Sequence, residues 1–192
     1  MNHLAHLYIG QAKIEWLVGN FIADQVKGKQ LLQFSPLVQE GIKMHRAIDS
    51  FTDQHPIVSK SKAKLYPVYH KYSAVIVDVF YDHILAKNWD QYSPIPLQLF
   101  AQSSYALLQT QRSTLPQRSQ KILFYMVEQD WLSNYAQLSG IEKTLINLSK
   151  RAKFDSKMEF ASRELKKDLL FFQEHFMIFF PELLEFIKLK YA

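Results

Sequence analysis

His45 and Asp49 lie four residues apart in "GIKMHRAIDSFTDQHP", and Asp78 and Asp82 repeat that spacing in "SAVIVDVFYDHILAKNW". Helical residues four apart share a face, with Cβ atoms roughly 5–6 Å apart. An imidazole and carboxylates on such faces are the donors that a divalent cation or a proton transfer needs. Taken alone, the first pair requires no such use, because an intrahelical His–Asp contact is worth only about 0.2–0.5 kcal/mol. The second pair is harder to explain structurally, since its segment is apolar nearly all round and offers no solvated face. A buried carboxylate must find a cation, a hydrogen-bond network or a proton. Two like charges on one face raise that cost unless a metal or an Arg sits between them.

A third group stands at the front of the chain. His3 and His6 are three apart in "MNHLAHLYIG", and "GNFIAD" sets Asp24 one helical turn beyond Asn20. Gly19 would permit a tight turn or a close backbone approach there. Singly, the two histidines read as packing or hydrogen-bonding residues and Asp24 as an exposed acid. Together, Asp24, His45, Asp49, Asp78, Asp82 and His83 occupy the first half of the chain on separate helices that could face one another. Imidazole and carboxylate ligands without sulfur suit Mn²⁺, Mg²⁺ or Fe²⁺ better than Zn²⁺. Helix bundles build metal sites from such facing side chains. Arg46 and Asp53, seven apart, share the flank of the first helix.

The elements that must position these residues are all helical. Apolar periodicity predicts helices near 13–27, 36–53, 57–70, 73–88, 96–112, 117–135, 139–151 and 156–189, with no segment alternating like a strand. Gly28, Pro36, Pro56, Pro67, Ser93–Pro94, Pro116 and Gly140 punctuate them, and Pro181 is expected to kink or break the last. With no repeat and no linker, residues 1–192 read as a single all-α domain, a helical bundle.

Composition narrows the function. The chain of 192 residues has no Cys, which excludes disulfides, thiolate metal sites and Cys nucleophiles. It lacks HExxH, Walker A, GxGxxG and GxSxG patterns, so nucleotide-cofactor and serine-hydrolase chemistry have no support. The opening residues carry no secretory signal, and the run "FMIFF" is too short to span a bilayer, so a cytoplasmic protein without a membrane partner is expected. A net charge of +5 favours an acidic partner. Basic residues cluster as Lys60, Lys62, Lys64 and Lys71, as Lys150, Arg151, Lys153 and Lys157, and as Arg163, Lys166 and Lys167. The aromatic run at 169–187 reads as core.

"MNHLAHLYI", "GNFIADQVKG", "GIKMHRAIDSFTDQHP" and "DVFYDHILAKNW", with "QDWLSNY" further on, together resemble the acyl carrier protein phosphodiesterases. The resemblance spans most of the chain, and the first ninety residues carry its specific part. It implies an HD-phosphohydrolase-like helical fold and a Mn²⁺-favouring enzyme that removes the 4′-phosphopantetheine arm from holo acyl carrier protein. That partner is a small acidic protein, not a nucleic acid, which accords with the basic charge. The adjacent His-Asp pair of a standard HD site is absent; the order here is Asp82-His83. On this reading Asp24, His45, Asp49, Asp78 and Asp82 are the expected metal ligands, with Asp82 and Asp24 foremost. Arg46 is expected to clamp phosphoryl oxygens, Asp53 to orient Arg46, and His83 or His6 to protonate the leaving oxygen. Two other readings remain: an HD-like phosphohydrolase of nucleotides or small phosphodiesters, and a non-catalytic helical module that binds an acidic partner.

Overall fold

A computed structural model describes residues 1–191. Eleven α-helices run through them: α1 (His3–Gly10), α2 (Ile14–Ile22), α3 (Pro36–Gln54), α4 (Pro56–Tyr69), α5 (Ser73–Lys87), α6 (Leu97–Thr110), α7 (Gln117–Glu128), α8 (Trp131–Asn134), α9 (Leu138–Ser149), α10 (Ser162–Lys167) and α11 (Leu169–Tyr191). Short 3₁₀ turns link several of them, and no strand occurs among the described residues. The all-α expectation is therefore met. None of these helices is long and apolar enough to cross a membrane.

The centre is α5. Its residues from Ile76 to Ala86 are buried except Asp78, as an all-round apolar helix requires. It packs against α1, α4, α9 and α11. From α11, Phe172 meets Phe80 edge-on at 5.0 Å, and Phe176 meets Tyr81 at 5.5 Å. Pro181 lies inside a continuous α11 rather than breaking it, and Pro67 likewise sits inside α4. In both cases tertiary packing outweighs the lost backbone hydrogen bond.

Helix α3 begins where Ser35 accepts the Val38 N–H at 3.4 Å and Pro36 occupies the first turn. It crosses α2 in backbone contact through two glycines. A Cβ on Gly19 would lie 2.4 Å from the Val38 carbonyl oxygen, and one on Gly41 would lie 2.6 Å from that of Trp16. The close approach anticipated at Gly19 is thus what sets the end of α2, with Asn20 and Asp24, against the middle of α3.

The expected 13–27 helix stops at Ile22 before a 3₁₀ turn, and the expected 156–189 helix is a 3₁₀ turn followed by α10 and α11. Two further segments also depart from expectation. Residues 3–10 form a helix the periodicity did not mark, because Asn2 makes no side-chain cap and the N-terminal N–H groups find their acceptor on α5. The expected 117–135 helix is two, α7 and α8, divided by Asp130 in the left-handed conformation (φ 42°). Tyr105 secures that break, donating its hydroxyl to Asp130 Oδ1 at 3.1 Å and accepting the Leu132 N–H at 2.8 Å.

Candidate metal centre

The α2–α3 crossing fixes His45 first. Its Nδ1 donates to the Asn20 carbonyl at 2.9 Å, which leaves Nε2 facing two carboxylates, Asp49 Oδ2 at 3.1 Å and Asp24 Oδ1 at 3.4 Å. From α1, His6 stacks on the His45 ring, centroids 3.8 Å apart, and its Nε2 lies 3.1 Å from Asp49 Oδ1. Ligand atoms of His6, His45 and Asp49 all fall within 4.8 Å of one another. They line a cavity of about 400 Å³ that Asp24, Asp53, Asp78, His3, Arg118 and Arg151 also border.

Charge in this cluster is strongly perturbed. Burial works against a charged His45, but hydrogen bonds to Asp24 and Asp49 outweigh it and raise its pKa to about 9. Asp49 is partly buried, yet contacts with His45 and His6 hold its carboxyl far below the ordinary range. Asp24 is also lowered, chiefly by its bond to His45. His6, by contrast, is pushed down to about 4, by burial and then by the neighbouring His45, so it is neutral at pH 7. Its Nδ1 is buried without a hydrogen-bond partner. The donor set fits a divalent cation: one imidazole oriented by a backbone carbonyl, a second with an unsatisfied nitrogen, and carboxylates crowded beside both.

Several expected site residues sit elsewhere. Asp82, placed foremost among the ligands, is fully buried away from the cavity lining. Its oxygens accept the N–H groups of Asn2 (3.3 Å), Leu4 (2.7 Å) and Ala5 (3.3 Å), so it caps α1 from across the core. Burial raises its pKa to about 7, against the pull of the N-terminal amine and those N–H groups. Asp78 does border the cavity, but its Oδ1 accepts the Met1 amine at 2.9 Å, and that amine is 3.8 Å from Asp49. His83 donates to the Tyr135 carbonyl at 2.7 Å and is absent from the cavity wall, so it cannot reach a leaving group there.

The Arg46 guanidinium points away to the Val26 carbonyl at 2.8 Å, because its position on α3 faces solvent. Asp53 borders the cavity but pairs with Lys62 at 3.4 Å, not with Arg46. The guanidinium groups on the cavity wall are those of Arg118 and Arg151. In the sequence Arg151 is one of a basic run, and Arg118 stands outside every cluster. Both come from the second half of the chain, and no short-range spacing links them to His45.

Comparison with known proteins shows the family to which the chain belongs. The chain is 29% identical over 189 residues to an acyl carrier protein phosphodiesterase of Pectobacterium atrosepticum, covering 98% of each chain. It is 30% identical to that of Photorhabdus laumondii over 96% of this chain and 94% of the relative. The relative from Yersinia pestis is 34% identical over 79% of both chains. No solved structure matches the chain. Residues 1–183 match the model of the acyl carrier protein phosphodiesterases, and the chain belongs to that family.

Proposed function

We propose that this chain hydrolyses the phosphodiester joining the 4′-phosphopantetheine arm to a serine of holo acyl carrier protein, releasing the arm and apo carrier. A divalent ion, Mn²⁺ with Mg²⁺ or Fe²⁺ as substitutes, would be held by His6, His45 and Asp49, with Asp24 beside them. The observation that carries this reading is the convergence of those three ligand atoms within 4.8 Å on a cavity that two arginines also line. Family membership supplies the substrate class, since the relatives are named for a phosphodiester of acyl carrier protein.

When bound, such an ion supplies Lewis acidity to the phosphoryl oxygens and lowers the pKa of a water. The side chains do the rest. The Asn20 carbonyl holds the Nδ1 proton of His45 and aims Nε2 at Asp24 and Asp49, where a cation would take the place of the Nε2 proton. Asp24 and Asp49 make the cluster acidic and attract a cation. Arg118 and Arg151 on the cavity wall offer guanidinium donors to a phosphate, a task suited to the planar fork. They take the role first expected of Arg46. His6, neutral at pH 7, serves as a ligand rather than as an acid. The +5 charge of the chain steers an acidic carrier towards it.

The test is to incubate purified protein with holo acyl carrier protein, with and without Mn²⁺, and to weigh the products. Loss of the phosphopantetheine mass only with the ion supports the proposal. Equal turnover of free nucleotides would favour a general phosphohydrolase. An unchanged carrier mass under all ions would end the enzymatic reading.

A further inference from the structure

A second cavity of about 230 Å³ lies against the first, and Asn2, His3, Leu148 and Arg151 line both. Its remaining wall comes from the α7–α8 break and from α9: Gln129, Trp131, Asn134, Tyr135, Gly140, Lys143, Thr144 and Asn147 among them. Gly140 lets the start of α9 approach the end of α8, since a Cβ there would lie 2.1 Å from the Asn134 carbonyl oxygen. The lining is rich in neutral hydrogen-bonding groups, whereas the first cavity holds the acids and imidazoles. Each such group has one function spent inside the protein and one left over. Asn134 Nδ2 donates to the Gln129 carbonyl at 2.8 Å, which leaves Oδ1 to accept. Trp131 Nε1 donates to Gln129 Oε1 at 3.3 Å, which leaves the Gln129 amide protons. Thr144 donates to the Gly140 carbonyl at 2.9 Å and keeps lone pairs free. Arg151 spends Nε on the Asn147 carbonyl at 3.0 Å, so its terminal nitrogens remain available at the junction of the two spaces.

Resting on the activity proposed above, we infer that the second cavity receives the pantetheine arm while the carrier's own fold stays outside, with Arg151 at the phosphate between them. Size selects the orientation, since a folded protein cannot enter 230 Å³ and a slender chain can. Chemistry agrees. A chain of secondary amides needs an acceptor and a donor at each amide, and Asn134, Gln129 and Thr144 offer both. Trp131 and Tyr135, also on the wall, supply apolar surface for its carbons.

Two measurements test this. Free pantetheine, which lacks phosphate, is titrated into the metal-free protein while tryptophan fluorescence is followed. Saturable quenching is expected, and Trp131→Phe should abolish it while Trp16 and Trp89 still emit. The variants Asn134→Leu and Thr144→Val, checked by circular dichroism, should each weaken pantetheine binding and raise KM for holo carrier by about tenfold, with kcat largely kept. If the wild type hydrolyses carrier yet pantetheine causes no quenching and KM stays put in both variants, the cavity assignment is overturned. If pantetheine binds but carrier is left intact, the activity reading falls and the cavity assignment stands.

Discussion

Helices α3 and α5 carry the same device, two side chains four residues apart beside apolar neighbours, and the protein uses them in opposite ways. On α3, His45 and Asp49 stay together and converge with His6 on a cavity. On α5, Asp78 and Asp82 diverge in partner: one takes the Met1 amine and the other caps α1. What differs is the element each pair meets. The α3 pair meets a second imidazole and a second carboxylate, groups that carry lone pairs and that a cation can share. The α5 pair meets the amine and N–H groups of an N-terminus, donors that consume carboxylate oxygens. A buried acid therefore marks a place that needs positive charge or donors; whether the supplier is an ion or a helix end depends on the facing chain.

The contrast breaks most visibly in turnover. Asp49→Ala should reduce hydrolysis of holo carrier by about 10³-fold or more, with helical circular dichroism kept, because it removes one ligand and the anchor of both imidazoles. Arg118→Ala and Arg151→Ala should each lower kcat by about 10²-fold, and Lys at either position should restore only part. Asp82→Ala should behave in the reverse manner. It leaves the N–H groups of Asn2, Leu4 and Ala5 without that acceptor and should cost about 2–3 kcal/mol in urea unfolding, while the folded fraction still turns over carrier. Equal loss of activity with unchanged stability in Asp82→Ala would put Asp82 back among the ligands.

Metal linkage sharpens the same contrast. An ion that binds only the folded state stabilises it by about 2.7 kcal/mol at a hundredfold excess over Kd. Mn²⁺ should therefore raise the melting temperature of the wild type and of Asp82→Ala alike, and leave that of Asp49→Ala unmoved. A Mn²⁺ response in all three, or in none, would erase the distinction between the helices.

Much of this was legible in the sequence because it is local. Apolar periodicity after Pro36 gave α3, all-round apolarity gave a buried α5, and the His45–Asp49 spacing placed an imidazole and a carboxylate on one face. Gly19 announced a close approach that proved to be the α2–α3 crossing. What stayed hidden is long-range. The acceptor for the first N–H groups of α1 lies about 80 positions away at Asp82, while Asn2 at the N-cap makes no side-chain bond, so nothing local shows what holds that helix start. Tyr105 stabilises the α7–α8 break from another helix. Arg118 and Arg151 reach the cavity only through tertiary packing, whereas Arg46, adjacent to His45 in sequence, lies on the outer face.

The smallest effect expected is in the pH dependence of stability, and it separates the helices by window. His45 rises from an ordinary 6.5 to about 9 in the folded protein. The folded state then binds more protons between those values, so stability from His45 is complete below 6.5 and is lost as pH climbs through 9. Asp82 rises from 3.8 to about 7, which has the same sign but an earlier window, with stability lost between about 4 and 7. Each slope is bounded at about 1.4 kcal/mol per pH unit. Because His3 and His6, both lowered to about 4, act in the opposite sense below 6.5, the quantity to measure is a difference. In chelator, unfolding of the wild type minus that of Asp82→Asn should change with pH only below about 7. The wild type minus His45→Gln should change only between about 6.5 and 9. If both differences fall in one window, the two acids are coupled parts of a single charge network, and the division of labour between α3 and α5 does not hold.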